Sequence, residues 1–183
     1  MSEHSMDFVT HLVGLAARDR GALAALRRSL AFAPGAYPPA YPVVERFVGR
    51  NLHAHDARRL ALYIVAGLFA LHPRHVQEVA IGTALGTLMA RRGSDSIEGR
   101  FVALLSAEPE HVHEYLRQLV SLLAAEGIAF DYAQLLDDLS GHLNRFADER
   151  RDAVRQRWAR DFSRVVTNDD HSSDVNHATE SAQ

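Results

Sequence analysis

Apolar residues recur at helical spacing along most of this 183-residue chain, and this pattern restricts the fold more than any other feature. Two series show it best: Val112, Leu116, Leu119 and Leu123, and then Tyr132, Leu135, Leu136, Leu139 and Leu143. Intervals of three and four place such residues on one face of an amphipathic helix. No segment shows a convincing strand alternation. The sequence therefore predicts an all-α protein with about eight to nine helices.

Breaks in the pattern divide the chain. Helices are expected at about 6–17, 20–32, 42–50, 56–72, 76–92, 94–107, 109–126, 131–147 and 148–165. Asp56 is the expected N-cap of the fourth, and Gly93 ends the fifth, in which Gly82 and Gly86 favour a close helix contact. Ser94 or Asp95 is the expected cap of the sixth helix, and Glu98 is placed for a capping box. We expect two small helical bundles, residues 1–93 and 94–166, and a disordered acidic tail, residues 167–183.

Composition excludes several classes of protein. The chain has no cysteine, so disulfides, thiolate metal sites and cysteine nucleophiles are excluded. The first twelve residues carry acids and histidines where a signal peptide needs a basic and then an apolar segment. The longest apolar run, Leu60 to Leu71, is too short to span a bilayer and is typical of a buried helix. A cytoplasmic protein without a membrane partner is expected.

The charge is unevenly distributed. All 20 basic residues are arginine, whose planar, permanently charged side chain suits phosphate. A GC-rich genome is an alternative explanation for the missing lysine. The formal net charge of −3 conceals two basic zones. Counted from the sequence, residues 1–107 carry +4, residues 108–141 carry −6, and residues 142–164 carry +3.

The second basic zone falls on the last predicted helix. Trp158 belongs to an apolar stripe and is expected in the core. On an adjacent arc lie Arg150, Arg157, Arg160 and Arg164, and the acids of this helix lie mostly elsewhere. Arg151 and Arg155 line the other flank of the stripe. A solvated face and a phosphate-binding surface both fit this pattern, and the missing acid partners favour phosphate. Without interleaved aromatic residues, backbone contact is expected rather than base readout.

No constellation indicates an active site. The string HAHD, His53 to Asp56, lies in a short linker and has no downstream partners at a metal-ligand spacing. His111 and His113 are two apart on a predicted helix and point away from each other. Asp137 and Asp138 are interpreted as part of a solvated face. The sequence therefore predicts no catalytic residue, no metal site and no cofactor, and hence no enzyme.

Several strings together resemble a known family. RDRGALAALRRSL, LFALHP, EGRFVALL, LRQLVSLL, FDYAQLLDDL and RQRWARDF occur in the order found in the CasB family, the small subunit of the type I-E CRISPR surveillance complex called Cascade. The resemblance covers about residues 8–164. One departure is the string SGHLNRF, where the family often has tryptophan near Gly141 and His142.

The resemblance implies a helical, non-catalytic subunit. Its partners would be the other Cascade subunits, a head-to-tail copy of itself, the guide RNA, the target DNA and the displaced DNA strand. Carried over by position, the basic residues that would stabilise this R-loop are Arg27, Arg28, Arg100, Arg117, Arg150, Arg151 and Arg157. A helical protein–protein adaptor with incidental surface arginines is the main alternative. A helix-turn-helix regulator would need a base-reading helix, which the glycine-containing helix after Val76 suits poorly.

Overall fold

The computed structural model is all-α. It describes the backbone of residues 2–50 and 52–180, and the side chains of 2–50, 52–94, 96–168. Within these ranges it has nine α-helices: α1 (Glu3–Arg18), α2 (Arg20–Ser29), α3 (Tyr41–Val44), α4 (Ala57–Leu71), α5 (Ile81–Arg92), α6 (Asp95–Ser106), α7 (Val112–Glu126), α8 (Tyr132–His142) and α9 (Asp148–Glu180). Two 3₁₀ turns, Pro38–Ala40 and Glu45–Phe47, flank α3. The predicted fold class is confirmed.

Local sequence explains most helix ends. The Asp56 carboxylate accepts from the backbone N–H of Arg58 and caps α4, as predicted. Gly93 ends α5 with φ 56°, a left-handed conformation that glycine adopts without a Cβ clash. Ser94 occupies the N-cap position of α6 but makes no side-chain capping bond, so the expected capping box is absent at this site. Its hydroxyl instead lies 2.9 Å from that of Ser96.

The segment before α5 differs from the sequence prediction. A helix was expected from about Val76, but α5 begins at Ile81. The backbone N–H of Val76 instead donates to the Phe130 carbonyl at 3.2 Å. The Asp131 carboxylate accepts from the backbone N–H of Glu78 at 3.0 Å, where the backbone is left-handed with φ 66°. These long-range bonds replace the first turn of the expected helix.

Helix α4 is the centre of the core. Each residue from Ala61 to Ala70 is buried, so this helix is apolar on all sides. It packs against α2, α7 and α8. The prediction that the apolar run forms a buried helix is confirmed.

Helices α5 and α9 pack with their backbones close together. A Cβ added at Gly82 would lie 2.5 Å from the Trp158 carbonyl oxygen, and one at Gly86 would lie 2.8 Å from that of Phe162. Only hydrogen fits at these two positions, so the predicted role of the glycine pair is confirmed. Trp158 is fully buried in this contact region, as predicted.

Buried side chains from both halves of the chain form one apolar cluster. It includes Phe8 and Leu68 before residue 93 and Leu119 and Phe162 after it. The two halves share this core, and their division into separate bundles at residues 93–95 stays a prediction. The side chains of residues 169–183 and the backbone of 181–183 lie outside the described part of the chain, and most of the predicted disordered tail, 167–183, falls there. Over the described residues, no helix is both long and apolar enough to cross a membrane.

Candidate nucleic-acid interface

Four arginines from three elements line one cleft of about 620 Å³. Arg58 comes from the first turn of α4, Arg145 from the α8–α9 turn, and Arg150 and Arg157 from α9. We call this the α8–α9 cleft. Its lining also includes Asp56, which caps α4, and Asp137, which accepts hydrogen bonds from Ser2 and Ser5. Two carboxylates of the lining face these four cations, and three of the cations have an acid nearby: Arg58 lies 3.7 Å from Asp56, Arg145 lies 2.9 Å from Glu110, and Arg157 pairs with Asp138. All four arginine side chains stay at least partly exposed, so the cleft can still bind an anion.

Arg150 and Arg157 are seven residues apart on α9. Seven residues make about two turns and span roughly 10 Å along a helix, so both side chains lie on the same face. Arg150 is exposed, and 39% of the Arg157 side chain is exposed. Of the four arginines on the predicted arc of α9, Arg150 and Arg157 line the cleft, and Arg160 and Arg164 do not.

Arg157 has an acid partner that its own helix does not reveal. Its guanidinium donates to one oxygen of Asp138 on α8, and the Trp158 indole N–H donates to the other at 2.7 Å. Asp138 is 5% exposed, so its interpretation as part of a solvated face is wrong. Burial raises the pKa of this carboxyl, and the bonds from Trp158 and Arg157 oppose the rise.

The expectation that the arginine arc lacks acid partners is therefore wrong for Arg157. It also fails at Arg164, which lies 4.0 Å from Asp161. Asp138 lies on a neighbouring helix, so the order of charges along α9 does not reveal that it pairs with Arg157. Asp161 lies on α9 itself, close enough to pair with Arg164.

Arg151 is mainly a structural residue. Its guanidinium donates to the carbonyls of His142 (3.2 Å) and Asn144 (3.4 Å), and it pairs with Asp148 at 3.0 Å. Only 16% of its side chain is exposed. These bonds satisfy carbonyls at the end of α8. Arg155 is used similarly, since it donates to the Ala107 carbonyl at 2.7 Å.

A second cleft, of about 630 Å³, lies between the end of α2 and α7. We call it the α2–α7 cleft. Exposed Arg117 lines it and donates to the Leu30 carbonyl at 3.0 Å. Glu110 and Glu114 also line it, so it is less basic than the first cleft.

The remaining predicted residues lie on exposed helix surfaces. Arg27 and Arg28 are exposed on the last turn of α2, where Arg27 donates from Nε to the Ala70 carbonyl at 2.9 Å. Leu30, which Arg117 contacts, follows directly on this turn. Arg100 is exposed on α6. None of these three lines either cleft.

Sequence reasoning missed two residues of the α8–α9 cleft, Arg145 and Phe146. Arg145 pairs with Glu110 at 2.9 Å, and Phe146 is 99% exposed. An aromatic residue within the polar string NRFADER, between two predicted helices, was the available signal. Arg58 and Arg59 are neighbours in the sequence, but they have different roles in the structure. Arg59 donates to Glu45 at 2.6 Å and lies over the Tyr63 ring, so it is structural.

The described histidines are not grouped as metal ligands. Across the described side chains, no group of three or more His, Asp or Glu residues is arranged to hold a metal ion. His53 and His55 have ring centroids 5.5 Å apart, and their one mutual hydrogen bond runs from the His55 backbone N–H to the His53 Nδ1 at 3.2 Å.

The fold and the clefts together define an all-α protein with arginine-lined surface clefts. The sequence model of the family described as CRISPR-associated protein Cse2 matches residues 22–162. The chain belongs to this Cse2 family. A "CRISPR-associated protein Cse2" of Thermus thermophilus is 42% identical over 162 residues, which cover 87% of this chain and 88% of that one.

Solved structures agree with the family. A CasB structure from M. ruber is 34% identical, with a TM-score of 0.75 over 94% of this chain and 99% of that one. A chain of a "CRISPR RNA-guided surveillance complex" is 26% identical, with a TM-score of 0.78 over 93% and 98%. The resemblance found in the sequence is confirmed.

Proposed function

We propose that this chain is a non-catalytic subunit of a CRISPR RNA-guided surveillance complex. In this role it stabilises the guide RNA–target duplex and the displaced DNA strand through arginine–phosphate contacts. Its partners are the other subunits of the complex and a further copy of itself, arranged head to tail. The observation that carries the proposal is the α8–α9 cleft, where Arg58, Arg145, Arg150 and Arg157 converge from three elements.

The chemistry of the cleft supports this role. Base pairing with a guide reads the sequence, so a subunit of such a complex needs to recognise only backbone and strand geometry. Arginine suits this task because its fork binds phosphate oxygens in two-point contacts. The likeness to a chain of a surveillance complex is further support. Arg27, Arg28, Arg100 and Arg117 form a second proposed group, outside the first cleft.

The test uses the reconstituted complex with two double variants, Arg58→Ala/Arg150→Ala and Arg28→Ala/Arg100→Ala. All four residues are exposed or partly exposed, so neither variant should disturb the core. Each phosphate contact contributes about one unit to the slope of log affinity against log salt. We expect weaker target binding and a slope flatter by about two units for each variant. The measurement is target-DNA affinity across several salt concentrations.

The matched control is Arg20→Ala/Arg91→Ala. It removes the same charge from exposed positions that belong to neither of the two proposed groups of arginines. We expect no change in its slope, which separates phosphate contact from a general charge effect. Subunit incorporation is checked by mass. Unchanged affinity and slope in both test variants, with full incorporation, would show that these arginines are a solvated face.

The adaptor alternative gives a different result in the same experiment. If the arginines contact protein, the variants lose incorporation into the complex, and the full chain alone shows no salt-dependent binding to nucleic acid. If they contact phosphate, incorporation is complete and the affinity for DNA falls.

A further inference from the structure

Phe146 is the most exposed large apolar side chain in the described part of the molecule. It is 99% exposed, whereas the other exposed large apolar side chains range from 38% to 52%. Single exposed apolar side chains are common on protein surfaces, so what distinguishes this ring is its place beside a group of arginines. It lies at the α8–α9 turn and lines the cleft that holds the four arginines.

The turn that carries Phe146 is held from both sides. The Asn144 side-chain oxygen accepts from the Phe146 backbone N–H at 3.0 Å, and the Asn144 carbonyl accepts from Ala147 at 3.2 Å and Arg151 at 3.4 Å. The neighbouring Arg145 pairs with Glu110, which precedes α7, at 2.9 Å. The ring is therefore displayed by a hydrogen-bonded turn.

The arginines around Phe146 indicate what kind of molecule could cover the ring. A protein surface that covered Phe146 with apolar groups would also have to desolvate Arg150 and Arg58, and 71% of the Arg58 side chain is exposed although it lies 3.7 Å from Asp56. An unpaired nucleotide offers both a flat base for the ring and a phosphate for an arginine. Sites for single-stranded nucleic acid combine aromatic platforms and cations in this way. In a duplex, by contrast, each base face is covered by its stacked neighbours.

We propose that Phe146 stacks on an unpaired base of a single strand whose phosphates are bound by the arginines of the α8–α9 cleft. This inference rests on the proposed function. It adds a preference for unpaired over paired strands, which arginine–phosphate contact alone does not supply.

The first experiment uses Phe146→Trp in the full chain as a fluorescent probe. The single native tryptophan, Trp158, is fully buried, so the new emission comes from an exposed ring. A single-stranded DNA oligonucleotide should quench that emission, and an abasic strand of equal length and charge should not. Val102→Trp is the control, because Val102 is 52% exposed on α6 and lines neither cleft. Its emission should be the same with both strands.

The second experiment measures affinity with Phe146→Ala. Loss of one stacked base lowers affinity about 5- to 150-fold. We expect this loss for the base-bearing single strand only, with unchanged affinity for the abasic strand and for duplex DNA. The salt slope should not change, because no phosphate contact is removed.

Several results would overturn the proposal. Equal quenching by both strands, or unchanged single-strand affinity in Phe146→Ala, shows that no base stacks on the ring. If Phe146→Ala instead lowers incorporation into the complex with single-strand affinity intact, the ring contacts another subunit. In these cases the proposed function stands as long as the arginine variants flatten the salt slope. If the full chain binds no nucleic acid at any salt concentration, this inference and the arginine–phosphate role both fail.

Discussion

His142 is fully buried on α8 and faces Trp158, with ring centroids 5.8 Å apart. Among the described atoms, neither of its ring nitrogens has a hydrogen-bond partner. Desolvation by burial, and then the charges of Arg155 and Arg151, lower the pKa of His142 to about 4. The ring is therefore neutral at physiological pH.

Because burial lowers the pKa of His142, the free energy of unfolding depends on pH. The folded-state pKa of about 4 lies below the ordinary value of 6.5, so the unfolded chain binds the additional proton between these pH values. The stability that neutral His142 contributes is complete above about pH 6.5 and is lost as the pH falls towards 4, by about 1.4 kcal/mol per unit at most.

We predict that His142→Phe stabilises the protein and flattens this dependence. Phenylalanine retains a ring against Trp158 and removes two buried nitrogens without partners. The stability advantage over the wild type should grow by roughly 1 kcal/mol between pH 6.5 and 5.5. Urea unfolding at several pH values measures it. His111→Gln, at an exposed position, is the control and should change nothing. An advantage independent of pH would mean that folding does not lower the pKa of His142.

At the scale of elements, α5 packs closely on α9 because Gly82 and Gly86 have no side chain. We predict that Gly82→Ala or Gly86→Ala destabilises the protein by about 1–3 kcal/mol, because the new methyl group meets a backbone carbonyl that cannot move alone. Gly99→Ala on α6 is the matched control, since a Cβ there meets nothing within 4 Å. It should stabilise by about 0.5–1 kcal/mol through helix propensity. Denaturant midpoints measure all three, and equal effects at the three positions would contradict this account.

The helices were predictable because their signals are local. Spacing located α4, α7 and α8, and Asp56 and Gly93 marked ends correctly. The start of α5 was not predictable, because the Val76 N–H bonds to Phe130, more than fifty residues later. In the candidate site too, features set by local sequence were predictable and long-range contacts were not. The sequence indicated Arg150 and Arg157 on one face of α9, but it did not show that Asp138 pairs with Arg157.

At the scale of the whole molecule, the two halves of the chain share one core. Helix α5 packs along α9, and α4 packs on α7 and α8 across residues 93–95. We predict that the protein unfolds in one cooperative transition. Far-UV circular dichroism reports all helices and Trp158 fluorescence reports the α8–α9 region, so their denaturant curves should coincide. Separate midpoints would show that the proposed bundles, 1–93 and 94–166, unfold independently.

The buried carboxylate of Asp138 has a kinetic consequence for the cleft. Its two oxygens hold two consecutive residues of α9, Arg157 and Trp158, so sliding or rotating α9 against α8 breaks both bonds. The spacing of α8 and α9, which form two of the cleft walls, is therefore constrained in the free protein. Little conformational entropy remains to be lost on binding, and the structure requires no rearrangement after encounter. For the nucleic-acid ligand proposed above, the arginines should then steer association, so that added salt lowers the association rate.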